Sequence, residues 1–389
     1  MIGLEKTNRK KMKIPFFIKK STYFDYPCLF IVIFLCAVGV LMVYSISSAN
    51  ALYNYGNSGH FAKRQMIFAG FGSVVMIIVS KINYKYYYKL ARVAMAVSML
   101  LVALVPFIGS EVNGSKRWID LGFISFQPSE ICKVGLVIYT AYICSRYPAD
   151  LKNLKTTALL FIIPIAAVGI IAASNLSTAI ICAGIVVVIW AVATPKIIYL
   201  FIVGGIGSVG GFIFILTQKY RMGRIKAWLH PDLKDDGYQT MQSLYAIGSG
   251  GLFGKGLGQG YQKLGNIPEA HNDMIFAAIC EELGIIGAAI IIFAFLVLIW
   301  RLKLIAEGAP DRFSALIAVG IIAHISLQAI VNISVVTNVI PNTGVPLPFI
   351  SYGGTSMVFL LAEMGIALGV SRYIVPISKR EDKGVVRAK

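Results

Sequence analysis

Long apolar runs separated by short polar stretches fill most of the chain. They cover residues 27–46, 67–80, 88–108, 131–145 and 157–173, then 176–194, 197–216, 274–300, 314–340 and about 347–371. A helix needs roughly 20 mostly apolar residues to cross a hydrocarbon core about 30 Å thick. Each run therefore predicts one span, and short runs such as 67–80 are completed by flanking polar residues. The expected fold is an all-α integral membrane protein with about ten transmembrane helices. One polar interval is far longer than the rest: about 217–273 is read as a long extracellular loop between helices 7 and 8. The first run is longer than a signal-peptide core, has no clear small-residue cleavage site and is followed by more spans, so it is expected to remain as helix 1.

Composition agrees. Hydrophobic types make up 57% of the 389 residues and charged types 14%, against roughly 45–50% and about 25% in average globular chains. So few charges cannot coat a soluble domain of this size. The formal net charge of +18 invites a nucleic-acid partner, but the placement of the charges argues against one. Lys6, Arg9, Lys10, Lys11, Lys13, Lys19 and Lys20 precede the first run. Lys81, Lys85 and Lys89 follow the second, Arg146, Lys152 and Lys155 the fourth, Lys196 the sixth, and Arg301, Lys303 and Arg312 the eighth. Every second loop is basic, the pattern that places both termini in the cytoplasm. The chain thus divides into a basic N-terminal tail, 1–25, a ten-helix domain, 26–376, and a basic C-terminal tail, 377–389.

Soluble-enzyme signatures are missing. Cys28, Cys36, Cys132, Cys144, Cys182 and Cys280 stand singly in apolar segments, with no CxxC pair, and read as small packing residues. The four histidines have no metal-ligand spacing. The glycine-rich stretch 248–260, GSGGLFGKGLGQG, is not a phosphate loop, because Ser249 stands where the first glycine belongs and Gly256 follows Lys255. No nucleotide is expected. That stretch is either a tightly turning loop or a backbone that comes close to a ligand.

Polar residues at membrane depth are costly, which makes them candidates for function. Three clusters stand out. In the first, Lys116, Arg117 and Trp118 lead to Gln127-Pro128-Ser129-Glu130, with Lys133 three residues on. Pro128 suits the first turn of a helix. Glu130 and Lys133 share a helix face, either as a structural ion pair or as part of a ligand site. Arg117 has the fork geometry that grips phosphate. The second cluster, Pro268-Glu269-Ala270-His271-Asn272-Asp273, ends the long loop directly before an apolar run, and Glu281 and Glu282 follow about two turns deeper. A carboxylate such as Asp273 at the lipid interface can serve as a general base. The third cluster runs from Pro341 to Ser356 and is dense in proline and glycine. It predicts broken helix, which is tolerated at membrane depth only when buried in protein or lining a wet cavity.

Taken in order, these strings resemble the SEDS family, which includes FtsW, RodA and SpoVE. The matching segments are Gly114-Ser115-Lys116-Arg117-Trp118-Ile119, Phe126-Gln127-Pro128-Ser129-Glu130, Gly248-Ser249-Gly250-Gly251-Leu252-Phe253-Gly254, Pro268 to Asp273, Glu281-Glu282-Leu283-Gly284, and Gly344 to Gly354. The resemblance spans about residues 25–375, and the Pro268–His271 string leans to the FtsW/SpoVE branch. It implies a peptidoglycan glycosyltransferase in the bacterial cytoplasmic membrane that polymerises lipid II on the outer face with a class B penicillin-binding protein. Partners would include undecaprenyl-pyrophosphate-linked glycan and other divisome or elongation-complex membrane proteins. The family's essential acidic residue falls on Asp273. Lys116, Arg117, Gln127, Ser129, Glu130, Lys133, Glu269, His271, Ser351, Tyr352 and Gly353 become the implied substrate-binding set. A divalent cation, Mg or Mn, is the one cofactor this chemistry leaves room for. The family's Pro-Asp-Leu-Gly-Thr reads Ser174-Asn175-Leu176-Ser177-Thr178 here, an amide in place of a carboxylate. A lipid II flippase and a non-catalytic scaffold that recruits a synthase remain open from the sequence.

Overall fold

The computed structural model describes residues 23–112, 115–120, 122, 125–194, 205, 219–231, 237–261 and 270–374. In chain order the α-helices are α1 Tyr26–Tyr55, α2 His60–Val79, α3 Lys85–Ile108, α4 Pro128–Arg146, α5 Leu154–Ser174 and α6 Leu176–Ala193. Then come α7 Lys219–Leu229, α8 Tyr238–Gly250, α9 Ile275–Gly308, α10 Arg312–Val336 and α11 Gly354–Ser371. Among the described residues, 8 helices are long and apolar enough to cross a membrane. The run 197–216 lies, but for residue 205, outside the described residues, and each of the others overlaps a helix, the last two running on into the non-helical stretch between Val336 and Gly354. The protein is a multi-pass α-helical membrane protein.

α4 is the polar exception that organises the bundle. Its face of Ser129, Glu130 and Lys133 is buried along with most of its apolar residues, because α3, α6, α10 and α5 all pack around it. Pro128 occupies its first turn, where a missing N–H leaves no bond unmade. A small antiparallel sheet in the order β1-β2-β3, formed by Ser110–Val112, Ser115–Asp120 and Ser125–Phe126, precedes it. Strands in that loop were not expected from the hydrophobic pattern.

One end of the bundle is held by charged and polar ties. Arg301 donates to both carboxylate oxygens of Asp25, at 3.1 and 2.8 Å. The same carboxylate caps α1 by accepting from the Cys28 N–H at 2.9 Å. Tyr84 donates to Asp311 at 2.5 Å, and burial together with that bond pushes its phenol pKa up. Arg372 reaches Ser80, and Arg312 bonds the Ala193 carbonyl. Asp25→Ala leaves Arg301 without a near-buried counter-ion and α1 without its cap. Breaking a buried pair from one side costs about 3–5 kcal/mol, so a marked fall in thermal midpoint in detergent is expected. An unchanged midpoint would mean that this tie contributes nothing.

α9 is broken at Gly284, whose φ is 69° and ψ −170°. The glycine-rich loop after α8 fills the break. The N–H groups of Lys255 and Gly256 bond the Glu281 and Glu282 carbonyls at 2.9 and 3.0 Å, and the Ile285 and Ile286 N–H groups bond the Gly251 and Leu252 carbonyls at 3.0 and 3.2 Å. Backbone groups that a continuous helix would have paired internally are exchanged with the loop, as hydrocarbon surroundings require. The loop at residues 248–260 turns tightly, and its backbone closes on α9, a partner that neither reading of the sequence named. Glu281 pairs with Lys255 at 2.8 Å, and Ser45 of α1 donates to Glu282 at 2.5 Å. Both carboxylates therefore brace this junction.

Candidate functional site

The breakers between Pro341 and Gly353 end α10 at Val336 and delay α11 to Gly354, leaving a non-helical segment within the protein. Its backbone groups need partners, and side-chain amides supply them. Gln65 of α2 donates to the Ser351 carbonyl at 3.0 Å and accepts from the Gly353 N–H at 3.3 Å. Gln328 donates to the Pro346 carbonyl at 3.0 Å. Asn332 donates to the Val345 carbonyl at 2.8 Å and the Asp273 carbonyl at 2.6 Å. Ser351 accepts from the Leu347 N–H at 2.7 Å. The result is a fixed wall of a small cleft, with room for about one water, lined by Gln328, Pro346, Ser351, Tyr352, Gly353 and Ser356 among apolar side chains.

Asp273 lies in the turn just before α9. Its Oδ2 is 3.6 Å from the point a Cβ at Gly344 would occupy, so the carboxylate sits against the broken segment. The Tyr352 N–H donates to the His271 carbonyl at 2.9 Å. The rings of Phe61, His271 and Tyr352 meet with centroids 4.8, 5.3 and 5.5 Å apart. The half-buried carboxylate thus sits against Gly344, and the ring cluster joins the same turn through His271.

Glu130 and Lys133 form an ion pair of 2.9 Å with both side chains buried. It is wired to the cleft: Ser356 donates to Glu130 at 2.9 Å, and Lys133 donates to the Gln328 amide oxygen at 3.2 Å. The pair thus ties α4 to α10 and α11, as the structural reading of it expects, and reaches the cleft through Ser356 and Gln328. Removing one partner strands the other charge, whereas removing both does not. Lys133→Met and Glu130→Gln should each lower stability by about 3 kcal/mol, and the double variant by less than either. Thermal unfolding of the three proteins checks this, and a double variant as weak as the summed singles would contradict it.

Lys116 and Arg117 lie on β2. They bond the Pro106 carbonyl at 3.4 Å and the Ser174 carbonyl at 3.3 Å, on α3 and α5. Gln127 holds the N-cap position of α4, and the buried Ser129 hydroxyl has no hydrogen-bond partner among the described residues. Glu269 and the Arg221 side chain lie outside the described residues. Arg224 donates to the Asn342 carbonyl at 3.0 Å and so braces the broken segment. Asn175 caps α6 by accepting from the Thr178 N–H at 3.2 Å, a role an amide fills as well as a carboxylate.

Gln65, His324, Gln328 and Glu363 were not singled out from the sequence. The signal was there for three of the site's groups: His324, Gln328 and Asn332 recur every four residues on one face of an otherwise apolar helix, and polar groups in a span mark function by default.

Fold and cleft together define a polytopic membrane protein with a carboxylate and a buried ion pair around a broken-helix wall. A family model described as "Cell cycle protein", named for FtsW, RodA and SpoVE, matches residues 26–375, and the chain belongs to this SEDS family. Stage V sporulation protein E of Bacillus subtilis (strain 168) is 39% identical over 360 residues, spanning 91% of this chain and 98% of that protein. A probable peptidoglycan glycosyltransferase FtsW from Trichlorobacter lovleyi is 36% identical over 368 residues, spanning 92% and 97%. Two solved structures share the fold. A chain of a peptidoglycan synthase complex, solved for its coordination of polymerization and crosslinking, superposes with a TM-score of 0.76 at 25% identity over 90% of this chain and 99% of that one. The Thermus thermophilus rod shape determining protein RodA superposes with a TM-score of 0.66 at 26% identity over 91% and 99%.

Proposed function

We propose that this protein is a peptidoglycan glycosyltransferase that polymerises lipid II at the outer face of the bacterial cytoplasmic membrane, with a class B penicillin-binding protein as partner. The observation that carries the reading is the position of Asp273, half-buried just before α9 against the broken segment that also walls the cleft. In this reading Asp273 takes the proton from the 4-hydroxyl of the acceptor N-acetylglucosamine. The oxygen attacks the anomeric carbon of the donor, the bond to the diphosphate breaks, and undecaprenyl pyrophosphate leaves. An α-linked donor that gives a β-1,4 product inverts, so one base and one stabilised leaving group suffice.

Lys133 donates to Gln328 in the cleft wall, and in this reading Lys116 and Arg117 on β2 supply further positive charge for the diphosphate. His271, Tyr352 and the Ser351–Gly353 backbone offer ring faces and polar groups to the sugars. Among the described residues no group of three or more His, Cys, Asp or Glu side chains could hold a metal ion. The reading therefore routes no step through a protein-built cation site, and a Mg or Mn ion would travel with the diphosphate. Both termini are assigned to the cytoplasm by the basic loops, and other divisome or elongation-complex proteins belong to the same reading.

The test is a gel assay of glycan strands made from purified lipid II, with and without the penicillin-binding protein. Strand formation that needs this chain supports the reading. Lipid II moved between leaflets with no strands formed would favour the flippase.

A further inference from the structure

Beneath the cleft lies a buried polar file that the proposed chemistry does not use. His324 is at the centre of α10 and Glu363 at the centre of α11, 2% and 1% exposed. His324 Nδ1 is 2.6 Å from Glu363 Oε2, and His324 Nε2 is 2.9 Å from Gln328 Oε1. Gln328 Oε1 also accepts from Lys133, and its Nε2 donates to the Pro346 carbonyl. A purely structural pair would need only the first of these contacts.

The protons in this file can be counted. Turning the Gln328 amide over would set its NH2 against the Lys133 ammonium and its oxygen against the Pro346 carbonyl, so its orientation is forced. Its oxygen therefore faces His324 Nε2, which must carry a hydrogen. A neutral ring protonated at Nε2 has a bare lone pair at Nδ1. A 2.6 Å approach of that lone pair to a carboxylate oxygen requires one proton between them, either on the ring or on the acid. The pair is electrically neutral as a unit and holds one proton, in surroundings where an unpaired charge is expensive.

We propose that His324 and Glu363 are positioning residues: their shared proton locks the imidazole, the imidazole locks Gln328, and Gln328 holds Lys133 and the Pro346 wall of the cleft in register. The consequence for turnover rests on the polymerase reading above, whereas the proton arrangement does not. Loss of the shared proton link frees the ring to rotate, and Gln328 loses one of the two donors at its oxygen. Misplacement of a supporting group by about 1 Å can slow a reaction about 100-fold.

The experiment has two arms. In the first, the full chain with its penicillin-binding protein is assayed on lipid II as wild type, Glu363→Leu, Gln328→Leu, the double variant and Glu363→Gln. Each leucine variant is expected to lower kcat about 100-fold with KM little changed. The double variant should fall no further than about twofold below the worse single, because both act through one contact. Glu363→Gln, whose amide donates to Nδ1, should restore turnover. Fully multiplicative losses, or a glutamine variant as slow as the leucine, overturn the proposal.

In the second arm, 15N-histidine spectra of the unaltered protein are assigned by the signal lost in His324→Asn. They should show a hydrogen on Nε2. A ring bare at Nε2 overturns the proposal whatever the leucine variants do or fail to do. Wild type that makes no glycan removes the polymerase reading instead and leaves the nitrogen spectrum to decide the pair.

Discussion

Asp273→Asn is expected to cut glycan polymerisation from lipid II by about 10²–10⁴-fold, the usual worth of a positioned general base, while leaving the fold intact. The expectation of an intact fold comes from the bonds themselves. The tie between this residue and α10 is made by its backbone carbonyl, which accepts from Asn332 at 2.6 Å, and an asparagine keeps that carbonyl. The side chain keeps its size against Gly344, while the capacity to take a proton is lost. The measurement is the rate of strand formation with the penicillin-binding protein present, beside the thermal midpoint of the same preparation. A folded variant that polymerises at a near-normal rate takes Asp273 out of the reaction.

Gly284→Ala should be strongly destabilising. A Cβ there would lie 2.4 Å from both the Gly254 nitrogen and the Leu252 carbonyl oxygen. These are main-chain atoms that cannot swing aside. The φ of 69° with ψ of −170° is a region that only glycine populates readily, and holding another residue there costs about 1–3 kcal/mol. Overpacking adds about 1–3 kcal/mol more. The loss should exceed about 3 kcal/mol, seen as poor yield and an early unfolding transition in detergent. Gly254→Ala should behave alike, since its Cβ would fall 2.2 Å from the Glu282 carbonyl oxygen. Wild-type stability in both would show that the loop does not occupy the break.

The spans were legible because hydrocarbon imposes a length and a composition that soluble folds do not. The broken segment at Pro341–Gly353 was legible from its prolines and glycines, and Phe349 with a φ of 63° shows how irregular the backbone there is. Glu130 and Lys133 were legible as neighbours on one helix face. That Lys133 would meet Gln328 was not, since contacts between α4 and α10 depend on how helices cross, and local pattern carries no such information. The three strands near Trp118 escaped for another reason: they are short, polar and set by a turn rather than by alternation. The role of residues 248–260 escaped as well, because a glycine-rich loop looks the same whether it faces water or a gap in a distant helix.

The ties at the basic end have a mechanical consequence. Asp25 with Arg301, Tyr84 with Asp311 and Arg372 with Ser80 clamp that end through charged groups. At the opposite end, neutral amides of Gln65, Gln328 and Asn332 lace the broken backbone to its neighbours. Bonds in which one partner is ionised are roughly twice as strong as neutral ones, so the basic end is the stiffer of the two and the amide-laced end the first to loosen on heating.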